Sequence, residues 1–250
     1  MSQPTVVSAY YPIPSKTTVH KYVEWMFTFW PKTKCPLVFF TDPLIAPQFE
    51  AMFKERPGPT KVIGLPFQNL VAFTKLSPKA WILTHEFDPE KIHTPELYAI
   101  WYEKKEFVLR AIQENPFGSE HFVWCDAGIG RYPDWLPYLE KFPMREMVPT
   151  KKMLVLRLKA FTEVDVKDNS VGGGILASDI AGWVSWSKAY DAMLMKYYLT
   201  DKFIGKDQNI IASMILENPD SVVMVDPPKM NPIQQWFYLL FYLGGVRVSS

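Results

Sequence analysis

The sequence is poor in cysteine and histidine, carries almost no net charge, and has no apolar run long enough to cross a bilayer. Its two cysteines, Cys35 and Cys125, are too few for a disulfide framework and match no zinc-ligand spacing. Each stands in an apolar stretch that reads as a strand, where a free thiol behaves as a small buried hydrophobe. There is no His-Glu-x-x-His and no Gly-x-Ser-x-Gly, so zinc protease and serine hydrolase readings fail. Gly128-Ile129-Gly130 begins like a dinucleotide fingerprint, but Pro133 holds the place of its next glycine. Gly205-Lys206 runs into Asp207 without the first glycine of a P-loop, which removes the NTPase reading. A formal net charge of +1 gives no general attraction to nucleic acid or anionic lipid, though a local basic site for a phosphorylated small molecule stays open.

The apolar run Trp236 to Leu243 is far short of the ~20 residues a membrane helix needs. Met1 to Thr5 lacks the basic and apolar segments of a signal peptide, and no Asn-x-Ser/Thr acceptor occurs. Together with unpaired thiols, this predicts a cytoplasmic protein with no transmembrane segment (host cytoplasm if the source is a virus).

What the chain does have is aromatic and aliphatic bulk. At 48% hydrophobic over 250 residues it can bury a sizeable core, and the absence of repeats or linkers predicts one domain over 1–250. Strand-like and helix-like segments alternate. Thr5 to Tyr10 is β-branched and aromatic and stops before Pro12. Val19, Tyr22, Val23, Met26, Phe27 and Trp30 form a stripe at helical spacing, capped by Thr17 or Thr18 and ended by Pro31. Pro36 to Thr41 reads as a doubly buried strand and Lys61 to Leu65 as a weaker one, with short helices or loops over Phe67 to Pro95. A strong helix over Tyr98 to Asn115 is followed by strands at His121 to Cys125, Met153 to Leu158 and Val171 to Leu176. Ser178 then caps a helix to Tyr198, another helix runs from Lys206-Asp207-Gln208 to Glu217, and Val222 to Val225 is the last strand. This order predicts an α/β fold with a mainly parallel central sheet flanked by helices.

Asp126 stands at the C-terminal end of the buried His121 to Cys125 strand, before the small residues Ala127 and Gly128. Ligands of open α/β sheets bind at that edge, although an Asp there also caps turns. Gly172-Gly173-Gly174 weakens the strand it begins, which points to something approaching the backbone closely: a ligand, or else a bulge or a packed helix. Asp207 opens a helix, where a carboxylate is favoured with or without a function. Lys104 and Lys105 lie beside Glu103 and Glu106 and read first as a solvated charged face. Arg131, five residues after Asp126, could reach a phosphate or be an ordinary surface residue. Ala9, Tyr10, Tyr11 and Asp42 follow the first two strands at the ligand edge and could hold a nucleobase, or be ordinary turn residues. Trp183, Trp186 and Trp236 could form a stacking platform for a sugar, with core packing the alternative.

These stretches resemble the HtrL/YibB-like family of glycosyltransferase-type proteins, found in bacteria and some large DNA viruses. The likeness runs from Val6-Val7-Ser8-Ala9-Tyr10-Tyr11 to the Asp207-Gln208 helix. It is most specific at Tyr98 to Lys104, Asn115-Pro116-Phe117, Phe122 to Arg131 and Val171 to Ile175. The order is similar to a GT-A glycosyltransferase. That resemblance implies a nucleotide-sugar donor (UDP- or GDP-linked), a glycan or other hydroxyl acceptor, and Mn²⁺ or Mg²⁺ between the diphosphate and Asp126. It implies a donor site formed by Ala9, Tyr10, Tyr11, Asp42, Lys104, Lys105, Asp126, Ala127, Gly128, Arg131, Gly172, Gly173, Gly174 and Gln208. Asp126 and Asp207 would be the catalytic residues, with Asp207 the first candidate for the acceptor's base. Gly128 replaces the second Asp of the family's Asp-x-Asp, so one carboxylate is left for a metal, and without one Lys104, Lys105 or Arg131 must neutralise the diphosphate. An inactive nucleotide- or glycan-binding relative, and an aromatic-rich interaction domain, are the alternative functions.

Overall fold

The computed structural model describes residues 2–246. The first half is built of parallel strands joined through helices. Strand β1 (Thr5–Tyr10) leads to helix α1 (Val19–Phe29), strand β2 (Leu37–Thr41), helix α2 (Ala46–Phe53) and strand β3 (Thr60–Gly64). Two short helices, α3 (Ala72–Lys75) and α4 (Pro78–Thr84), precede the long α5 (Pro95–Glu114) and strand β4 (His121–Cys125). The second half comprises β5 (Met153–Arg157), β6 (Val171–Asp179), α6 (Ile180–Tyr198), α7 (Asp207–Glu217) and β7 (Val222–Val225). Helices α8 (Pro232–Trp236) and α9 (Tyr238–Leu243) follow.

The seven strands form one sheet in the order β3-β2-β1-β4-β6-β5-β7. The expected α/β class with a mainly parallel central sheet is what the chain adopts. Strand β6 is the exception, running antiparallel to both β4 and β5. No helix joins β5 to β6, and without a crossover the chain returns as a hairpin, which must be antiparallel.

Side chains alternate across the sheet with the strand period of two. Val38, Phe40, Phe122 and Trp124 enter the core beneath α5, α6 and α7. Leu37, Phe39, Val123 and Cys125 enter the opposite core, beneath α1, α2 and α9. Both cysteines are buried and unpaired, as expected. Burial on both faces explains why these strands read as unbroken apolar runs. Among the described residues no helix is long and apolar enough to cross a membrane.

Local details depart from the sequence reading in three places. Thr18 caps α1, but the buried face of that helix is Met26, Phe29 and Trp30, while Val19 and Phe27 stay exposed. Asp179, not Ser178, caps α6: its carboxylate accepts from Gly182 N at 2.7 Å. Ser178 is still within β6 and donates to the Lys152 carbonyl at 2.6 Å. The third departure matters most. Helix α5 is not charged on a solvated face; Glu103, Lys104 and Lys105 are all buried. The helix packs against β1 and β4 on one side and against α3, α4, α6 and α7 on the others, so its polar face also meets protein.

Each buried charge on α5 is therefore paired. Glu103 accepts from Val71 N at 3.0 Å and Ala72 N at 2.9 Å, closing the start of α3 against α5. Burial drives the Glu103 carboxyl up from its ordinary 4.5 to about 7, with those two amides pulling the other way. A carboxyl whose pKa rises on folding contributes stability fully below its unfolded pKa and loses it as pH climbs through the folded one. Relative to Glu103→Gln, the wild type should lose stability between about pH 5 and about pH 8. Urea midpoints at both ends of that range measure it; a difference independent of pH would show that the carboxyl titrates normally.

Candidate functional site

The alternation that sends Phe122 and Trp124 toward α5 sends Asp126, one step past the end of β4, the same way. The Asp126 N–H donates to the Gly174 carbonyl at 2.8 Å, extending the β4–β6 pairing by one residue beyond Cys125 and Ile175. The loop after β4 and the triple-glycine strand thus meet at one point. The following turn is held from the other core by Trp30, whose indole N–H donates to the Ala127 carbonyl at 3.0 Å.

Lys104 reaches this junction from α5. Its ammonium lies 2.8 Å from Asp207 Oδ2 and 3.2 Å from Asp126 Oδ1, and donates to the Gly173 carbonyl at 2.9 Å. Asp126 Oδ1 also accepts from the Trp124 indole at 2.7 Å. Asp207 Oδ1 accepts from Gln208 N at 2.9 Å. Both oxygens of Asp207 are therefore engaged, whereas Asp126 Oδ2 has no partner among the described residues. Burial alone would lower the Lys104 pKa, but Asp126 and then Asp207 more than offset it, and the ammonium ends above its ordinary 10.5. Burial raises the Asp126 carboxyl above its ordinary 3.8, against the pull of Lys104 and with the help of Asp207.

The glycines have separate reasons. A Cβ on Gly173 would stand 2.6 Å from Asp207 Oδ2, so any side chain there would displace that carboxylate. On Gly174 it would lie 3.5 Å from Asp126 Oδ2, and on Gly172 it would press on Leu156 at 3.0 Å. Gly128 is packed under aromatic rings, where a Cβ would come within 2.8 Å of Tyr22 and 3.3 Å of Trp25.

Above this floor opens a cleft of about 580 Å³. Lys104, Asp126, Gly128, Arg131, Gly172, Gly173, Gly174, Asp207 and Gln208 all line it. A recess of about 100 Å³ adjoins it, lined by Ala9, Tyr10, Tyr11, Trp124 and Ala127, and sharing Tyr22, Lys104, Asp126 and Gly128 with the cleft. Two sequence candidates line neither space. Asp42 caps the turn into α2 through Leu44 N at 2.9 Å. Lys105 faces Asp191 at 2.9 Å, with its ammonium over the rings of Tyr102 and Tyr190. Of the three tryptophans, Trp183 and Trp186 are core residues and only Trp236 borders the cleft.

Several lining residues escaped the sequence reading: Glu90, His93, Trp101, Asn169 and Lys206. Lys206 pairs with Glu90 at 3.0 Å, and His93 sits between Asp88 at 3.2 Å and Glu90 at 3.3 Å. The run Asp88-x-Glu90-x-x-His93 was the one available signal, hidden in an irregular segment.

Residues 13–226 match the family described as a bacterial protein of unknown function, HtrL_YibB. The chain belongs to the HtrL/YibB family. Among curated proteins, none matches it in sequence. In fold, this HtrL/YibB protein is similar to mouse xyloside xylosyltransferase 1 in its apo form. The two share 12% identity over 94% of this chain and 93% of that one, with a TM-score of 0.50. It is also similar to the glycosyltransferase GlyE of Streptococcus pneumoniae, at 12% identity and a TM-score of 0.41, over 90% of this chain and 45% of that one. At such identity the likeness is one of fold.

The divalent ion that the GT-A resemblance implies finds a poor donor set in this HtrL/YibB chain. A hard cation is held by one or two carboxylates with free oxygens, together with phosphate oxygens and waters. The place of a second acid is Gly128, filled by Tyr22 and Trp25, and the other nearby carboxylate, Asp207, has no oxygen to offer. A fixed ammonium already stands 3.2 Å from Asp126. Among the described residues no group of three or more His, Cys, Asp or Glu could hold a metal ion. The residues present do not fit a metal centre.

Removing the ammonium tests this electrostatic reading. Lys104→Met leaves two adjacent carboxylates without a counter-charge and should cost about 3–5 kcal/mol at neutral pH. Without Lys104, Asp126 protonates more readily still, so the deficit should shrink as pH falls from about 8 to about 5. Denaturation curves across that range report it, and an unchanged midpoint at neutral pH would contradict the pairing.

Proposed function

We propose that the chain is a single glycosyltransferase domain that moves a sugar from a nucleoside-diphosphate donor to an acceptor hydroxyl. The observation that carries this is the Asp126–Lys104–Asp207 array under three glycines, opening on a cleft at the C-terminal ends of β1 and β4. Open α/β sheets bind ligands at that edge, and 580 Å³ lies in the range of small-molecule sites. The adjoining recess, lined by Tyr10 and Tyr11, suits a flat base, with the Tyr10 hydroxyl buried and unpartnered among the described residues. On the cleft wall Asn169 likewise has a buried Oδ1 without a partner, suited to accept from a sugar hydroxyl. Trp101 and Trp236 offer apolar surface for an acceptor ring.

In this reading the acceptor oxygen bonds to the anomeric carbon as the bond from that carbon to the diphosphate oxygen breaks. The nucleoside diphosphate leaves with the bonding pair, and the acceptor's proton passes to Asp126 Oδ2. Asp126 takes the proton because it alone of the two floor carboxylates has an oxygen free. Its raised pKa also makes it a stronger base than an ordinary aspartate. Asp207 acts as a positioning residue that fixes Lys104, and through it the Gly173 carbonyl. The triple glycine lets Asp207 and Leu156 pack against the backbone of β6, which forms one wall of the donor's cleft. The gain over solution comes from holding donor and acceptor in line and away from water.

The test is release of UDP or GDP from a panel of nucleotide sugars, with and without simple sugar acceptors. Asp126→Asn should slow turnover by about 100-fold or more. The wild-type rate should fall on the acid side with a midpoint above the ordinary 3.8, since burial raises the Asp126 carboxyl and the base works only when ionised. Donor binding with neither transfer nor slow hydrolysis would instead favour an inactive relative, and full activity in Asp126→Asn would remove Asp126 from the chemistry.

A further inference from the structure

The floor of the cleft holds two carboxylates and one ammonium, so it presents no surplus positive charge to a diphosphate. Lys104 is engaged by both carboxylates, and Lys206 by Glu90 at 3.0 Å. Lys16 also borders the cleft, but it is exposed and no hydrogen bond or ion pair among the described residues fixes its ammonium. The donor set does not fit a metal, for the reasons given above. A diphosphate bound here still needs a cation, because its charge grows as the sugar leaves.

Arg131 meets that need by its construction. It follows Asp126 by five residues and borders the same cleft. Its guanidinium carbon lies 4.4 Å from the ring centre of Trp25 on α1 and 4.9 Å from that of Phe237, between α8 and α9. Its Nε donates to the Gly128 carbonyl at 3.3 Å. Among the described residues it has no carboxylate partner, and its two terminal nitrogens donate to nothing. A guanidinium held by aromatic faces keeps its fork of N–H donors in a fixed plane, the geometry that recognises phosphate oxygens in pairs.

We infer that Arg131, gripped by Trp25 and Phe237, is the cation that binds the donor's diphosphate, and that this site works without a divalent metal. This rests on the proposed transferase reading and adds to it both the group that neutralises the leaving diphosphate and the independence from metal. Gly128 then has a second use: its carbonyl orients Arg131, while its missing side chain makes room for the Tyr22 and Trp25 rings. Trp25, which does not border the cleft, is a positioning residue acting through the guanidinium, whereas Phe237 both packs on Arg131 and lines the cleft.

Calorimetry with UDP, GDP and inorganic diphosphate, each in EDTA and in Mn²⁺, decides the matter. The expected result is binding of at least one nucleotide with the same affinity in both conditions. Arg131→Met should weaken it by about 10- to 100-fold. Arg131→Lys, which keeps the charge but loses the planar fork, should fall between. Arg131 is exposed, so both variants should fold, and circular dichroism checks that they do. Nucleotide binding that appears only with Mn²⁺, or that survives Arg131→Met unchanged, would overturn this inference and leave the transferase reading standing. No binding of any probe in either condition would overturn both.

Discussion

Two carboxylates and an ammonium meet where β4, β6, α5 and α7 come together, and most of what is unusual about this chain follows from keeping that charge paired. An isolated buried carboxylate costs several kcal/mol, and the same holds for an isolated ammonium. Lys104 answers Asp126 and Asp207 together, and its hydrogen bond to the Gly173 carbonyl ties the pair to the sheet. The result is a polar junction that four elements must place correctly before all of its charges are paired. Such a junction acts as a register mark: α5 cannot slide along the sheet without leaving a buried charge unmatched.

The framework was readable in the sequence because strands buried on both faces announce themselves as short apolar runs. β1, β2, β4 and β5 are legible close to their observed bounds for that reason. The triple glycine was legible too, as a place where something approaches the backbone. The structure shows that one such thing is the Asp207 carboxylate, 2.6 Å from where a Gly173 side chain would begin. The antiparallel run of β6 was not legible, since orientation depends on how the chain returns and not on the strand's own residues.

Charge was where local reading failed. Glu103, Lys104, Lys105 and Glu106 look like the wet side of a helix, and in a helix packed on one side only they would be. Helix α5 is enclosed, and its partners come from residues 22 to 103 positions away: Val71 and Ala72, Asp126, Asp191 and Asp207. Nothing in a window of sequence encodes such distances. The same holds for Glu90, His93 and Lys206, which reach the cleft from an irregular stretch and from the start of α7. Conversely, Asp42 and Lys105 had plausible positions along the chain but face a turn and a separate ion cluster.

The packing of Tyr22 and Trp25 over Gly128 also constrains how this sequence can change. A second acid at that position would need not one substitution but at least two, because its Cβ would enter the space that the Tyr22 ring occupies. Shrinking Tyr22 first would unsettle the aromatic shelf beside Arg131, and adding the acid first would meet a steric wall. Glycine is thus held at this position by the rings around it, and exchanging it for an acid requires those rings to be rebuilt at the same time.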